Sequence, residues 1–492
     1  MSDRIVQSRY FARFGELFVP MLTWLIITFP LWMSPFHPAI VAYFIIAFNL
    51  YFLYKAFTTA YYATKSYKLI MERSKISYQK KIRSMKGGAK IQHFIIVPNY
   101  KEPLYKIEST IDSFIANDYP YSTIFLVLAF EKRETEAVEK EVYLKNKYVG
   151  HFKDVLVAYH TLSPNEAPGK ASNQTCAARM VDEYALKQGF SREDCIITIC
   201  DADSHLPTNY FSYLSFEFLN DKMRLYHFYC APVLLYNNFW QLPFFVRMQA
   251  TLSSILRLAF LSQEDKLIQI STYSASLSLL QKVDFWDVDI IPEDWHIYFQ
   301  AFFAFGEKVR TLPLYTIING DAVYSGSNMK TLFNRYEQEK RWAWGVSDIA
   351  YAWKKMFTTP HVPFRHKLKK IAYLTETHLF WPTSFFVLTI SASIPPLINP
   401  IFKKTVLGFI LPQLSGIILT AASLMLILYA YLDIQLRKKV NVKTSTINVP
   451  FLIIQWYLLP VVSFVLSSLP ALEAHTRLLL GKKITYKVTE KV

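Results

Sequence analysis

Two patterns of hydrophobic and polar residues divide the chain. Uncharged apolar stretches lie near both ends, while the centre alternates short apolar runs with amphipathic, charged segments. About 20 apolar residues are needed to cross the hydrocarbon core of a bilayer, so these stretches are candidate membrane spans. The alternative for any one of them is a buried core helix. The five candidates are residues 17–36, 38–54, 379–402, 405–432 and 444–472.

Basic residues flank these stretches and indicate their orientation. Arg9 and Arg13 precede the first stretch, a dense lysine group follows the second, and Lys438 and Lys439 follow the fourth. The positive-inside rule places such residues, and with them the central region, in the cytosol. A fifth complete crossing would place the basic tail outside. Because Pro460 interrupts the last stretch, we expect a broken or re-entrant segment that returns to the cytosol.

The central region has the periodicity of an α/β domain. Continuous apolar runs at 93–98, 124–130, 154–159 and 195–200 predict buried strands. Amphipathic segments at 107–115, 131–146 and 172–187 predict the helices between them. Such alternation is typical of a mostly parallel sheet covered on both faces, whose ligands bind at the carboxyl ends of the strands.

Composition and charge favour a membrane protein. The chain has 492 residues, of which 52% are hydrophobic and 19% charged, and this excludes a disordered chain and a coiled coil. Its formal net charge of +16 combines −7 over residues 91–350 with +23 over the two flanks. Because the basic excess lies beside the apolar stretches, we expect no nucleic-acid partner. The four cysteines form no CxxC pair, which indicates free thiols.

Two segments with candidate chemistry follow predicted strands. Pro98-Asn99-Tyr100-Lys101-Glu102-Pro103 follows the first strand, and Asp201-Ala202-Asp203 follows the fourth. Residues i and i+2 of an extended backbone share a face, so both carboxylates can approach one cation. Two carboxylates completed by phosphate oxygens are a common Mg²⁺ arrangement. A solvated turn is the alternative.

Two further segments lie beyond the predicted strands. Pro292-Glu293-Asp294-Trp295-His296 pairs carboxylates beside aromatic residues, which can raise one pKa and suit a general base. The alternative is a helix N-terminus that uses acidic residues for its dipole. Gln338-Glu339-Lys340-Arg341-Trp342 combines a Trp that can stack on a sugar with an Arg that can pair with a diphosphate. Taken alone, this segment is more typical of a packed amphipathic helix.

Together the segments resemble a known family. In their order, PNYKEP, GK, DAD, ED and QEKRW, the last as Q-x-x-R-W, they resemble membrane-embedded inverting glycosyltransferases of family 2, which include cellulose, chitin and hyaluronan synthases. The resemblance covers residues 92–344 by motif and the flanks by layout. It implies a GT-A-type α/β fold that binds a nucleotide-diphospho-sugar, a UDP-sugar being the expected donor. It also implies Mg²⁺ or Mn²⁺ as cofactor.

The resemblance assigns roles to individual residues. Tyr100 and Glu102 would hold the nucleoside, Lys170 the diphosphate, and Asp201 and Asp203 the nucleotide and metal, with Asp203 the closer ligand. Asp294 would be the base, supported by Glu293. The acceptor sugar and diphosphate would be placed by Gln338, Arg341 and Trp342.

One departure and one further match complete the comparison. The family has an Asp after the second strand, whereas this chain has Glu131, which can accept the same hydrogen bonds and is a candidate nucleotide ligand. The tail resembles the F-x-V-T-x-K gating loop of cellulose synthases, with Tyr in place of Phe. The matching residues are Tyr486, Val488, Thr489 and Lys491.

We therefore expect a processive polysaccharide synthase with four parts. These are an N-terminal membrane region (1–90), a cytosolic GT-A domain (91–350), an interfacial segment (351–372) and a C-terminal membrane region with two or three spans and the tail (373–492). Its partners would be the donor, a glycan or lipid acceptor, and the bilayer.

The alternatives are a single-transfer enzyme acting on a polyprenyl phosphate and a non-catalytic nucleotide-sugar sensor. An ion-coupled transporter is disfavoured because the five stretches carry no ionisable residue. A glycan path could be lined by Gln413, Ser415, Gln455 and Trp456.

Overall fold

The N-terminal part consists of two long apolar helices and one short helix. The structure is a computed structural model that describes residues 8–85, 87–445 and 448–484. The second apolar helix is longer than its uncharged stretch, because Ala60, Ala63 and Ile70 continue a buried face at helical spacing beyond residue 54. The helices are α1 (Arg9–Met33), α2 (Pro38–Arg73) and α3 (Tyr78–Arg83).

The central domain is built on ten strands in two sheets. The strands are β1 (Gln92–Asn99), β2 (Ile124–Glu131), β3 (Asp154–His160), β4 (Cys195–Ile199), β5 (Ser204–His205), β6 (His227–Cys230), β7 (Val233–Leu234), β8 (Tyr273–Ser276), β9 (Arg310–Pro313) and β10 (Ile318–Gly320). The larger sheet has the order β3-β2-β1-β4-β8-β6-β9, and the smaller one β5-β10-β7. In the larger sheet only β8 runs against its neighbours. The prediction of a mostly parallel sheet is therefore confirmed.

Helices cover both faces of the larger sheet. Phe94 and Ile96 of β1 belong to one core, and Ile95 and Val97 belong to the core on the opposite face, as alternation along a strand requires. The helices of this region are α4 (Leu104–Ile115), α5 (Ala137–Lys147), α6 (Lys170–Lys187), α7 (Tyr210–Asn220), α8 (Phe244–Leu261), α9 (Leu277–Lys282), α10 (Glu293–Phe305), α11 (Asn328–Ala343) and α12 (Asp348–Thr358).

The helix predicted at 131–146 begins later than expected. Glu131 is the last residue of β2, and α5 starts only at Ala137. The six residues from Glu131 to Glu136 carry five charges, which the sequence pattern did not separate from the helix that follows. The correction matters for function because it places Glu131 at a strand end.

The described residues of the C-terminal part, 364–445 and 448–484, form eight α-helices. They are α13 (Phe364–Thr389), α14 (Ile394–Ile398), α15 (Pro400–Lys403), α16 (Val406–Ser423), α17 (Met425–Lys439), α18 (Val449–Ile454), α19 (Leu459–Ser463) and α20 (Leu469–Leu479). The last stretch, predicted to be broken or re-entrant, is interrupted by a 3₁₀ turn at Gln455–Leu458 and a π-helical turn at Phe464–Ser468. A pronounced bend is found elsewhere. It lies between α13 and the segment Ser391–Ile398, at 47°. Pro460 and Pro470 each occupy the first turn of a helical segment, where the missing N–H breaks no hydrogen bond.

Five helices of the described chain are long and apolar enough to cross a membrane, and a sixth arises if the bent pair is one span. Four of the five single helices correspond to predicted stretches at both ends of the chain, and the bent pair corresponds to residues 379–402. The remaining helix, Phe244–Leu261, was not predicted, because Arg247 and Arg257 interrupt its apolar run.

The run Pro450–Leu479 contacts the central domain near both of its ends. Just before it, the Lys443 carbonyl accepts a 2.8 Å hydrogen bond from Trp240 Nε1. Near its end, Glu473 lies 3.0 Å from Lys340 Nζ of α11. The Leu479 carbonyl accepts a 2.9 Å hydrogen bond from Arg13 Nη2. The segment just before this run and the last helix of the run therefore both contact the central domain.

Candidate active site

One cavity brings the predicted site residues together. It has a volume of about 1800 Å³ and lies where the carboxyl ends of β1, β2 and β4 meet. The four matching residues of the tail lie outside the described residues. All other predicted site residues line the cavity: Tyr100, Glu102, Glu131, Lys170, Asp201, Asp203, Glu293, Asp294, Gln338, Arg341 and Trp342.

Lys170 connects three carboxylates at the centre of the cavity. It is the first residue of α6, and its Nζ lies 2.8 Å from Asp201 Oδ1. Nζ also lies 3.7 Å from Glu293 Oε1 and 3.7 Å from Asp294 Oδ1. Burial alone would lower the pKa of Lys170, but the three carboxylates hold that pKa well above its usual value. The ammonium therefore stays charged and neutralises part of a dense negative cluster.

Glu293 and Asp294 occupy the first turn of α10 as a buried pair. Burial, reinforced by Asp294, raises the pKa of Glu293 to about 7. Burial also raises the pKa of Asp294, with Lys170 opposing it. Asp294 Oδ2 accepts a hydrogen bond of 2.6 Å from the Ser271 amide, whereas Oδ1 is buried and accepts none from the described residues. Among the described residues, the nearest cation to Oδ1 is the Lys170 ammonium, at 3.7 Å.

Ser271 holds three of these groups and was missed by the sequence analysis. Its amide binds Asp294, its carbonyl accepts a 2.9 Å hydrogen bond from Lys170 Nζ, and its hydroxyl donates to Asp201. Its φ of 68° is unusual for a residue with a side chain. Ser271 belongs to no motif, so no local signal could have identified it.

Asp201 and Asp203 fit a divalent cation. They come directly after β4, where Asp203 is buried while Asp201 pairs with Lys170. Their oxygens are the hard ligands that Mg²⁺ and Mn²⁺ take. The described residues contain no group of three or more His, Cys, Asp or Glu side chains placed to hold a metal. The pair thus fits an ion whose coordination is completed by another oxygen donor, such as a diphosphate.

A second group of charged and aromatic side chains lies at the ends of β1 and β2. Glu131 is buried and pairs with Arg133 Nε. The Arg133 guanidinium lies 4.3 Å from the centre of the Tyr100 ring. Asn173 fixes the two strand ends, because its amide donates to the carbonyls of Asn99 and Ala129. The sequence analysis identified Tyr100 and Glu131 but gave no role to Arg133.

The Q-x-x-R-W segment forms the last two turns of α11 and faces the cavity. Gln338 Oε1 accepts a 2.5 Å hydrogen bond from Arg335 Nη1, and Arg335 also pairs with Glu339. The Trp342 ring lies between two guanidinium groups, with Arg335 at 4.9 Å and Arg257 of α8 at 5.5 Å. The sequence analysis gave two alternatives for this segment, a packed amphipathic helix and a ligand-binding surface. The segment is in fact packed within a helix and also lines the cavity.

His296 connects the site helices from behind. Its Nδ1 lies 3.0 Å from Asp348 Oδ1 of α12, and its Nε2 lies 2.9 Å from Asp287 Oδ2. Although burial opposes the charged form, the two carboxylates raise the pKa of His296 to about 9. The imidazolium thus joins α10, which carries Asp294, to the helix that follows Trp342.

The cavity continues from these polar groups to the apolar helices. Its wall includes aromatic residues of α2, α13, α17 and the run Pro450–Leu479. Of the four residues that could line a path, Trp456 lines the cavity, whereas Ser415 and Gln455 are buried, in line with the alternative of buried helix contacts. The aromatic residues of this wall are Phe52, Tyr54, Tyr62, Tyr373, Phe380, Trp381, Phe385, Tyr429, Trp456 and Tyr457.

The fold and a family match indicate what this protein resembles. The mostly parallel sheet with one antiparallel strand is a GT-A-like fold. Residues 196–433, just under half of the chain, match the family model described as glycosyl transferase family group 2. This part of the chain is therefore similar to glycosyltransferase domains of that family. No curated protein matches it.

Solved structures show only distant likeness. A mannosyltransferase from Pyrobaculum calidifontis, PcManGT, in complex with GDP-Man and Mn²⁺, is 12% identical with a TM-score of 0.42, covering 81% of this chain and 100% of that one. S. aureus TarS 1-349 in complex with UDP-GlcNAc is 13% identical with a TM-score of 0.35, covering 68% of this chain and 90% of that one. The residues of the cavity, rather than these likenesses, support the function proposed below.

Proposed function

We propose that this protein is a membrane glycosyltransferase that extends a glycan processively with inversion at the anomeric carbon. The observation that carries the proposal is the continuity of the cavity. One space is lined by Asp201 after β4 and Asp294 in the first turn of α10. The same space is lined by Trp381 and Trp456 of the apolar helices. A donor can occupy the polar part while the growing acceptor extends along the aromatic wall, on which sugar rings stack.

Each part of the donor has a chemically suited partner in the cavity. Tyr100, Glu102 and Glu131 would hold the base and ribose. Lys170 and Arg341 would bind the diphosphate, since an ammonium and a guanidinium pair with phosphate oxygens. A UDP-sugar is the donor we propose. Asp203, with Asp201, would hold Mg²⁺ or Mn²⁺, which supplies neutralisation of the leaving diphosphate when bound.

Transfer would be a single displacement. The Asp294 carboxylate takes the proton of an acceptor hydroxyl, and the oxygen of that hydroxyl forms a bond to the anomeric carbon. The bond between this carbon and the diphosphate oxygen breaks with its electron pair, and the nucleoside diphosphate leaves. Attack from the face opposite the leaving group inverts the configuration. Glu293, whose pKa is near 7, lies beside the base, and Gln338 and Trp342 orient the acceptor.

We further propose a cytosolic catalytic domain, with the parts 1–90, 91–350, 351–372 and 373–492 expected from the sequence. The run Pro450–Leu479 would lie along the cytosolic interface rather than cross the bilayer. Its contacts near both ends, to Trp240 and to Lys340 and Arg13, support this placement. The basic tail would then remain on the cytosolic side, within reach of the cavity as a gating loop.

Product length distinguishes this proposal from a single-transfer enzyme. The purified protein would be incubated with a radiolabelled UDP-sugar, with and without polyprenyl phosphate, and its products separated by size. A ladder of oligosaccharides made without added lipid supports processive synthesis, while one sugar attached to the lipid contradicts it. A protein that binds the nucleotide sugar but releases no nucleoside diphosphate would be a sensor.

A further inference from the structure

Arg257 is a cation in the cavity wall that the function described so far does not use. It lies on α8 and lines the cavity beside Trp342. Its Nη1 donates a 2.9 Å hydrogen bond to the Val233 carbonyl, and its guanidinium lies 5.5 Å from the centre of the Trp342 ring. No carboxylate of residues 8–85, 87–445 or 448–484 forms an ion pair with it. Most of its five N–H groups therefore have no partner from the protein.

A comparison with Arg335 shows that this arrangement is specific to Arg257. Both guanidinium groups lie near the Trp342 ring, at 4.9 Å for Arg335 and 5.5 Å for Arg257. Arg335, however, is neutralised by Glu339 in a buried ion pair. Arg257 has no ion-pair partner among the described residues, although Asp201, Glu339 and Asp294 all act on it electrostatically and favour its charged form.

The chemistry of the side chain indicates the ligand. Arg257 is partly exposed in the cavity wall, so a ligand in the cavity can reach it, and an anionic ligand supplies the ion-pair partner that the described residues do not. A guanidinium presents paired N–H donors that match two phosphate oxygens. We propose that Arg257 binds a phosphate group of a substrate, opposite Lys170 in the same cavity.

Two substrates carry such a group, and this inference rests on the proposed function. One is the diphosphate of the nucleotide-sugar donor. The other is the phosphate of a lipid acceptor, which could reach Arg257 because the cavity continues to the apolar helices. The shared chemistry is a phosphate oxyanion, and binding experiments separate the two sources.

The test compares Arg257→Met, Arg257→Lys and Arg247→Met in the full-length protein in nanodiscs with Mn²⁺. Arg247 is the matched control, because it lies on the same helix over the Trp240 ring, at 5.2 Å, and does not line the cavity. Equilibrium binding would be measured for UDP and GDP against uridine and guanosine, and for polyprenyl phosphate against polyprenol. Monodisperse elution and an unchanged thermal unfolding midpoint establish that each variant is folded.

We expect Arg257→Met to weaken binding of one phosphate-bearing ligand by about 10-fold to 100-fold, the usual effect of removing charge-assisted hydrogen bonds. The ligand lacking phosphate should bind unchanged, Arg257→Lys should retain part of the affinity, and Arg247→Met should bind like wild type. If the affinity for UDP or GDP falls, the phosphate that Arg257 binds belongs to the donor. If the affinity for polyprenyl phosphate falls, that phosphate belongs to the acceptor. If Arg257→Met is folded and binds every ligand with the affinity of the wild type, this inference is wrong, while the proposed function stands. Wild-type protein that binds no phosphate-bearing ligand overturns the proposed function as well.

Discussion

Replacing Lys170 with Met should shift the acid limb of the pH–rate profile to higher pH. The ammonium lies 3.7 Å from both Glu293 and Asp294 and lowers the pKa of each. At this separation, with an effective dielectric constant of about 20, one charge pair interacts by about 4 kcal/mol. Because one pKa unit corresponds to about 1.36 kcal/mol, removing the ammonium can raise the pKa of each carboxyl group by about three units at most. Water and diphosphate in the working site screen the pair, so we expect a shift of about one to two units.

The sign of this effect follows from the chemistry of the base. A carboxylate accepts a proton only when it is ionised, so a higher pKa removes the active form at a given pH. At pH 7 we therefore expect kcat of Lys170→Met to fall by about tenfold or more, with recovery as the pH rises.

The assay is nucleoside diphosphate release at saturating donor, measured from about pH 5 to about pH 9. Lys170→Arg keeps the charge and should keep the position of the acid limb. Lys147→Met removes a lysine that pairs with Glu108 at the surface and should change nothing. If Lys170→Met is active and the acid limb of its pH–rate profile lies at the same pH as that of the wild type, Lys170 does not control the pKa of the Glu293–Asp294 pair.

Three other variants test separate parts of the site. The pKa of His296 is about 9 in the folded protein and 6.5 ordinarily, so its imidazolium adds about 3 kcal/mol to the free energy of unfolding below pH 6.5. This contribution is lost as the pH rises through 9. The thermal unfolding midpoint of His296→Gln should therefore lack this pH dependence. Ser271→Ala removes the hydroxyl bond to Asp201 but keeps the amide bond to Asp294, so KM for the donor should rise while the acid limb stays in place. Glu131→Gln should weaken nucleotide binding by about tenfold in an equilibrium titration, whereas the exposed Glu136→Gln should not.

The sequence predicts those parts of the site that are local. DAD, ED and Q-x-x-R-W are contiguous, and two of the motif positions follow buried strands whose apolar runs are unmistakable. Parallel strands align their carboxyl ends, and this brought Tyr100, Glu131 and Asp201 to one cavity.

The residues that the sequence did not identify depend on contacts between distant segments. Ser271 acts through backbone atoms held at a positive φ, which no side-chain pattern encodes. Arg257 lies in an apolar helix without a motif, and its position near Trp342 exists only after α8 and α11 pack. The sequence predicted an interruption at Pro460, and the structure changes its helical hydrogen-bonding pattern on both sides of that residue, at Gln455–Leu458 and Phe464–Ser468. The location of the second change carries no proline or glycine signal in the sequence.

The most direct test of the central claim is nucleoside diphosphate release from a panel of nucleotide sugars by the purified full-length protein with Mg²⁺ or Mn²⁺. Wild type would be compared with Asp294→Asn and with Asp289→Asn, which changes an exposed carboxylate outside the cavity. We predict release from one donor by wild type and Asp289→Asn, and its loss in Asp294→Asn with nucleotide binding intact. Equal release by Asp294→Asn would contradict the assignment of Asp294 as the base. No release from any donor, even with glycan and polyprenyl phosphate acceptors present, would contradict the account as a whole.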